Sequence, residues 1–544
     1  MELPPPLPTK DKPKEEEGGG GEEKEEDDLP PSAIVTHLIE LFFQYVNSVF
    51  PLVHRGRLRQ SIQDGTVSKP LLWALMAIAA RFSDHPSIKT DPPYWAGEKF
   101  ATKATQSINA SLLEPTIPNL QFWGIMSCLE YGRASGSKAW TYGGIAVRIC
   151  QELGLNKESV LRTPILSEGT VDYVAMALRR RIFWSCLCID KFASTSTNRP
   201  QGFEVGDYDV QYPTRTESSL LLDPLQNFTV DRRVVTNDPL MDVVPHYVGV
   251  LERFGEICKY MSRAKTDGSQ VTWPPIAEFS QLDTSMRVWK ESLPDHFRFS
   301  AAMVAKYRET ATQNYLNFWI CAHAMYCTGM LALHRGSLAY SDLGPSELPS
   351  DVYKQIQASV ACCKEQVETA TEVFRCLRDT CGCNVLPYMG YCAYIFSTVL
   401  MTSVFSSDPV AYTKSSLGLA ILFDTIKILG PYWPMSERLA LTTRDMLSTH
   451  SRLYEIEANH RMPIPLKITQ SPESMASIST TDTPSIPANH VNYMAMPYTT
   501  QPTDIDFNSC EFLNDSALFG QMIFDSSKLQ YMMYNTPPHL FNKQ

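Results

Sequence analysis

The chain has 544 residues, is 44% hydrophobic and 20% charged, and carries a formal net charge of −11. That balance fits a folded protein with an acidic surface and excludes one whose whole surface grips phosphates, which takes clustered Lys and Arg. The opening stretch offers no apolar core for an export signal, so the fourteen cysteines read as reduced thiols and not as a disulfide framework.

Residues 1–31 hold eleven acids and four lysines, a net of −7, which leaves −4 for the other 513 residues. With almost nothing apolar to bury, this leader is expected to stay solvated and unfolded. Ser32, after Pro30-Pro31, is expected to cap a helix whose apolar stripe is Ile34, Leu38, Leu41, Phe42 and Tyr45. The run Leu71 to Ala80 is too short to span a bilayer and reads as a buried helix. Tyr142, Ala146, Ile149 and Leu153 share one helical face, and Gly154 supplies a stop. Leu178, Ile182, Ser185, Ile189 and Phe192 repeat the pattern up to the turn-forming Asn198-Arg199-Pro200.

Two uncharged stretches, Thr310 to His334 (histidines apart) and Asn384 to Ser407, match a membrane span in length. Their prolines, asparagines and hydroxyls, with no basic asymmetry at the flanks, favour helices buried in a soluble core. Alternating strand patterns hardly occur, so the expected fold is all-α. Residues 461–503 are rich in Pro, Ser and Thr and read as a linker. Beyond them, Asp504 to Ser527 brings five acids and no base together with bulky apolar residues.

The sequence lacks the common catalytic motifs: no Gly-x-Ser-x-Gly elbow, no phosphate-binding loop ending in Gly-Lys-Ser/Thr, no His-Glu-x-x-His. No two cysteines are separated by two residues, which removes zinc knuckles. His323 and Cys327 are four apart on one helix face, and Cys362, Cys363, Cys376, Cys381, Cys383 and Cys392 form a denser group. Packed core side chains account for both, with a thiol sensor as the alternative for the second. Arg179-Arg180-Arg181 is the strongest basic triplet; on a helix its members fan around the axis, which suits salt bridges at the domain surface better than anion or import-receptor binding. No catalytic, cofactor or metal residue is therefore assigned.

Read in order, a longer pattern emerges. Phe50-Pro51-Leu52-Val53-His54 precedes Ala79-Ala80-Arg81-Phe82, then Ala139-Trp140, Gly144, Arg148 and Leu153-Gly154-Leu155. Arg179-Arg180-Arg181-Ile182-Phe183-Trp184 leads to Asp190-Lys191-Phe192, Asn198-Arg199-Pro200 and Asp207-Tyr208-Asp209-Val210, and Leu333-His334-Arg335 comes later. This order resembles the middle homology region, the fungal-specific transcription factor domain, of binuclear zinc-cluster regulators, from about Ile34 to about Glu457. Within it Arg179, Arg180, Arg181, Trp184, Asp190, Arg199 and Pro200 carry the resemblance, and Lys191 stands where an arginine is usual.

The resemblance implies a large helical regulatory domain (residues 32–460) of a nuclear transcription regulator, with no enzymatic activity. It implies transcription coactivators as partners, with a DNA-binding partner or a second copy of the chain beside them, and no membrane. Zinc and direct DNA contact belong to the family's six-cysteine cluster, which is not found in these 544 residues; DNA is then reached through an upstream cluster or indirectly, and no cofactor is expected in this chain. The isolated chain is expected not to bind duplex DNA sequence-specifically. A cluster-less coregulator or small-molecule sensor on the same scaffold is the alternative, ahead of a helical enzyme. Residues 504–544 take the place of an activation segment. Their acids keep Phe507, Phe512, Phe519 and Phe524 from collapsing together, and Phe512, Asp515 and Phe519 fall at i, i+3 and i+7.

Overall fold

The computed structural model describes residues 29–48, 51–163, 169–221, 237–266, 277–340, 344–346, 349–404 and 408–461. Among these the fold is all-α, with seventeen α-helices and no extended sheet. The acidic leader to residue 28, most of the linker and the whole segment 504–544 lie outside the described residues.

The first half is built from α1 (Ser32–Tyr45), α2 (Arg55–Gln63), α3 (Lys69–Ala79), α4 (Glu98–Gln106), α5 (Ile117–Gly132), α6 (Gly136–Glu152), α7 (Glu158–Leu161), α8 (Tyr173–Thr195) and α9 (Arg215–Leu220). Helix α3 is apolar all round after its first turn and buries every residue from Leu71 to Ala79, with α1, α4 and α5 packed about it. Ser68 caps it by accepting the Leu71 N–H, and Pro70 occupies its first turn, where a missing N–H costs nothing. Helix α1 departs from expectation at its start. Ser32 is its first helical residue, and the cap position falls to Pro31, whose carbonyl accepts the Ile34 and Val35 N–H groups. Helix α6 ends as expected, with Gly154 at φ +65°, a conformation that favours glycine.

The second half comprises α10 (Val244–Thr266), α11 (Ala277–Ser292), α12 (Ala301–Thr310), α13 (Gln313–His334), α14 (Ser350–Cys381), α15 (Pro387–Ser403), α16 (Pro409–Leu429) and α17 (Pro434–Arg461). Helix α13 is its axis: α10, α11, α14 and α15 all pack on it, and it is buried from Trp319 to His334. Long and apolar enough to cross a membrane by composition, α13 has 94% of its most apolar window inside the body. It is a core helix, as its Asn317, His323 and Thr328 suggested. Asn317 donates to the Asn384 carbonyl, and Thr328 satisfies its hydroxyl on the Ala324 carbonyl.

One continuous apolar core joins the halves. At the seam the Arg81 guanidinium donates to the Tyr432 carbonyl at 2.8 Å and to the Ile78 carbonyl at 3.1 Å, and lies over the Trp433 ring 4.4 Å from its centroid. Burial, assisted by the nearby Arg133, lowers its pKa to about 9. Gly132 is required here, since a Cβ would stand 2.2 Å from the Trp433 ring.

Candidate functional site

Helix α8 gathers the residues that carry the sequence pattern, and three clusters along it pin the chain that follows. At its start Arg180 is almost fully buried and pairs with two carboxylates, Glu158 on α7 and Glu217 on α9. The expected salt bridge exists, but inside the protein and not on its surface. The helical fan separates Arg180 from its neighbours, which both keep partial exposure. An import-receptor reading of the triplet is thereby lost, because its central residue is sequestered. Partial burial lowers the pKa of Arg181, against the opposing influence of Tyr315.

One turn on, the Trp184 indole N–H donates to the Gln211 carbonyl at 3.0 Å, and its ring packs against Phe183, Tyr208 and Tyr212. The hydroxyls of Tyr208 and Tyr212 both donate to the Glu252 carboxylate on α10, which joins this aromatic cluster to the second half.

The third cluster centres on Asp190. Its carboxylate accepts the Gly202 N–H at 2.9 Å, the Phe203 N–H at 3.0 Å and the Ser194 hydroxyl at 3.3 Å. Burial raises its pKa, partly offset by these bonds and by the adjacent Lys191. The buried Lys191 ammonium donates to the Gln201 side chain and, at 2.7 Å, to the Phe203 carbonyl, and burial lowers its pKa. Two neighbouring residues of opposite charge thus grip the same loop, Asp190 by its N–H groups and Lys191 by a carbonyl and the Gln201 side chain. Asn198, at φ +54°, makes the turn into it. Arg199 donates to the Ser137 hydroxyl at 2.9 Å and lies 5.9 Å from the Trp140 ring centroid, while the Trp140 N–H donates to the Pro200 carbonyl at 2.9 Å. The sequence pattern marks a staple between α8, its following loop and α6.

A fourth polar junction was legible only as His334. Its Nε2 lies 2.9 Å from an Asp283 carboxylate oxygen on α11 and its Nδ1 3.1 Å from the Ser359 hydroxyl on α14. Arg287 donates to both oxygens of Asp283. Burial works against charge on both groups, but the His334 and Arg287 bonds outweigh it, holding Asp283 at about 2 and raising the His334 pKa.

The candidate metal and redox residues are buried in the core, except Cys383, which is half-buried. His323 bonds the Phe297 carbonyl at 2.9 Å, and burial lowers its pKa to about 4. Burial pushes the thiols of Cys327, Cys363, Cys381 and Cys392 up to about 12, which leaves them poor nucleophiles. Cys186, on the opposite side of α8 from Cys188, finds its hydrogen-bond partner in Cys150 of α6. Among the described residues no group of three or more His, Cys, Asp or Glu converges to hold a metal. Phe507, Phe512, Asp515, Phe519 and Phe524 lie outside the described residues.

Sequence reasoning missed the partners and not the anchors. Glu158, Glu217, Gln211 and Glu252 lie tens of positions from the residues they hold, and nothing local to them signals the pairing. Only the unusual density of charge on the otherwise apolar α8 announces that partners exist.

Residues 39–233 match the family described as the fungal specific transcription factor domain. An uncharacterized transcriptional regulatory protein of Schizosaccharomyces pombe is 28% identical over 295 residues, covering 50% of this chain and 30% of the relative. The Zn(2)-C6 fungal-type transcription factor FTF1a of Fusarium oxysporum f. sp. lycopersici is 23% identical over 428 residues, covering 75% of this chain and 38% of the relative. FTF1c of the same fungus, also a Zn(2)-C6 fungal-type transcription factor, is 24% identical over 428 residues, covering 75% of this chain and 45% of the relative. The chain thus spans less than half the length of each of these relatives. No solved structure matches.

Proposed function

The chain carries a fungal specific transcription factor domain over residues 39–233, and from that premise we propose that it is a nuclear transcription regulator of fungal type. Its helical body serves as the regulatory domain, and residues 504–527 recruit coactivators. The observation that carries the reading is the domain itself, over residues whose motif side chains are spent on holding helices together. Relatives that are transcription regulators weigh in the same direction and against an enzyme.

DNA is reached through a zinc cluster encoded upstream or through a DNA-binding partner, because these 544 residues include no cysteine pair of the required spacing. The runner-up, a coregulator that acts wholly through such a partner, rests on the same absence.

The activation assignment rests on residue chemistry: five acids from Asp504 to Asp525 set among Phe507, Phe512, Phe519 and Phe524. Such a segment presents aromatic rings to a shallow apolar groove with a basic rim. Tethering residues 500–544 to a foreign DNA-binding domain and measuring reporter output tests it. Output that falls when Phe512 and Phe519 become alanine supports the assignment, and silence from the intact segment overturns it.

A further inference from the structure

Helix α16 carries an apolar line that no other described helix covers. Val410, Leu417 and Ile428 point within about 20° of one another around its axis, and they leave 74%, 64% and 37% of their surface to solvent. Ala420 lies exposed beside them. One exposed apolar side chain is ordinary, whereas a line of them along about 27 Å of helix marks a contact surface. Helix α14 flanks the line. Glu368 on α14 pairs with Lys414 at 2.5 Å, and Arg378 pairs with Asp424 at 3.4 Å. Both pairs span 46 positions, so α14 and α16 run side by side in the same direction and present one face.

We infer that this two-helix face seats a second copy of the chain, related by a two-fold axis that sets α16 antiparallel to α16 and α14 to α14. The charge order selects both the occupant and the direction. Along α16 the charged residues are Asp408, Lys414, Asp424 and Lys427. Level with it on α14 come Lys364, Glu368, Glu372, Arg375, Arg378 and Asp379, while Glu365 turns away to Lys290 on α11. Each row reads with opposite signs from its two ends. Turned end over end about its middle, the face brings Lys414 to Asp424 of the second copy, Glu368 to Arg378 and Glu372 to Arg375. Lys364 then meets Asp379, and Asp408 meets Lys427, to within a helical turn. The pairs made inside one chain, Lys414 with Glu368, Asp424 with Arg378, Glu372 with Arg375 and Arg378 with Asp379, are kept. Each gains a counter-charge across the axis. Val410 meets Ile428 of the second copy, and Leu417 lies near the axis against the second Leu417 and Ala420. Parallel pairing sets every charge against its own kind. Self-complementarity of this sort is what a closed two-fold contact requires. Two helices about 31 Å long and about 10 Å apart offer roughly 600 Å² per copy, the size of a weak, concentration-dependent dimer. The inference does not draw on the proposed function, because association is measured without reference to transcription.

Sedimentation velocity of the full chain from about 1 to 100 μM tests it. The expected result is a monomer–dimer equilibrium within that range. Leu417→Arg places two cations at the axis and should weaken it at least about tenfold, with melting unchanged because Leu417 is exposed. Lys414→Glu and Asp424→Lys should each weaken it about tenfold, since two facing pairs turn repulsive. An equimolar mixture of these two variants should dimerise as strongly as the parent, because each supplies the charge the other lacks. A chain that stays monomeric, a dimer indifferent to Leu417→Arg, or a mixture no stronger than its components overturns the inference. Photo-cross-linking from p-benzoylphenylalanine in place of Leu417 locates the contact, with links to residues 413–424 of a second copy expected. Links within one chain (to residues 462–544, for example), to another protein, elsewhere on the second copy, or none at all overturn it. A dimer formed through this face by a chain that leaves transcripts unchanged sinks the proposed function alone, and a monomer that occupies promoters sinks this inference alone.

Discussion

Replacing Asp190 with asparagine probes the α8 staple at its most buried point. The carboxylate accepts two backbone N–H groups, from Gly202 and Phe203, beside the buried Lys191 ammonium. One carboxylate oxygen accepts both N–H groups, and the other faces the Gly202 N–H and the Ser194 hydroxyl. An asparagine oxygen in the first position keeps both bonds without charge assistance, while its NH2 group is turned against the Gly202 N–H, at a cost of about 1–3 kcal/mol. Lys191 also loses its neighbouring counter-charge, which brings the total to about 3–5 kcal/mol. Equilibrium urea unfolding of the full chain, followed by tryptophan fluorescence, measures the cost. Chymotrypsin should report the same event locally by new cleavage after Phe203, once the loop loses its anchor. The double variant Asp190→Asn, Lys191→Met should cost about 1–2 kcal/mol less than the sum of its parts, because the two side chains share one loop. A cost below about 1 kcal/mol, within the range of ordinary surface substitutions, or strict additivity would refute the reasoning.

Other perturbations follow from the same geometry. Trp184→Ala should destabilise the chain by about 3–5 kcal/mol, and Trp184→Phe by about 1 kcal/mol through loss of the Gln211 bond, both read in the same urea series. Arg180→Ala strands Glu158 and Glu217 in the interior and should cost about 3–5 kcal/mol, whereas a neutral triple replacement with methionine at 180 and glutamine at 158 and 217 should recover most of it. The His334–Asp283 pair gives stability a pH signature. The raised His334 pKa means its contribution is complete below the unfolded value of about 6.5 and fades as pH rises through the folded value. Asp283, held at about 2, contributes fully above the unfolded carboxylate value and loses that as pH falls. The pair should therefore stabilise most between about pH 4 and 6.5, and His334→Gln should flatten the profile on the alkaline side. An unchanged profile there would contradict the pairing.

The helical architecture was readable because apolar residues recur at helical spacing in α1, α6 and α8, and because α3 and α13 are apolar all round, the mark of core helices. The start of α1 was misread: Ser32 has the chemistry of a cap, but the extended backbone at Pro31 already supplies the first carbonyl, and the serine is drawn into the helix. The surface salt bridges expected of Arg179 to Arg181 became a buried pair of glutamate contacts at Arg180 for a different reason. Amphipathic spacing shows which face turns inward, and it does not show that a distant helix brings carboxylates to meet a cation there. The pattern Asp190-Lys191 followed by Asn198-Arg199-Pro200 was legible as a unit, whereas its purpose, gripping the 201–203 loop through both donors and acceptors, required the fold.

The central claim is that this chain acts on transcription. Chromatin immunoprecipitation of the tagged full-length protein from its native cells, paired with transcript profiling after deletion of its gene, tests that claim most directly. The account predicts enrichment at discrete promoters whose transcripts change on deletion. Occupancy no higher than an untagged control, with transcripts unchanged, would contradict it.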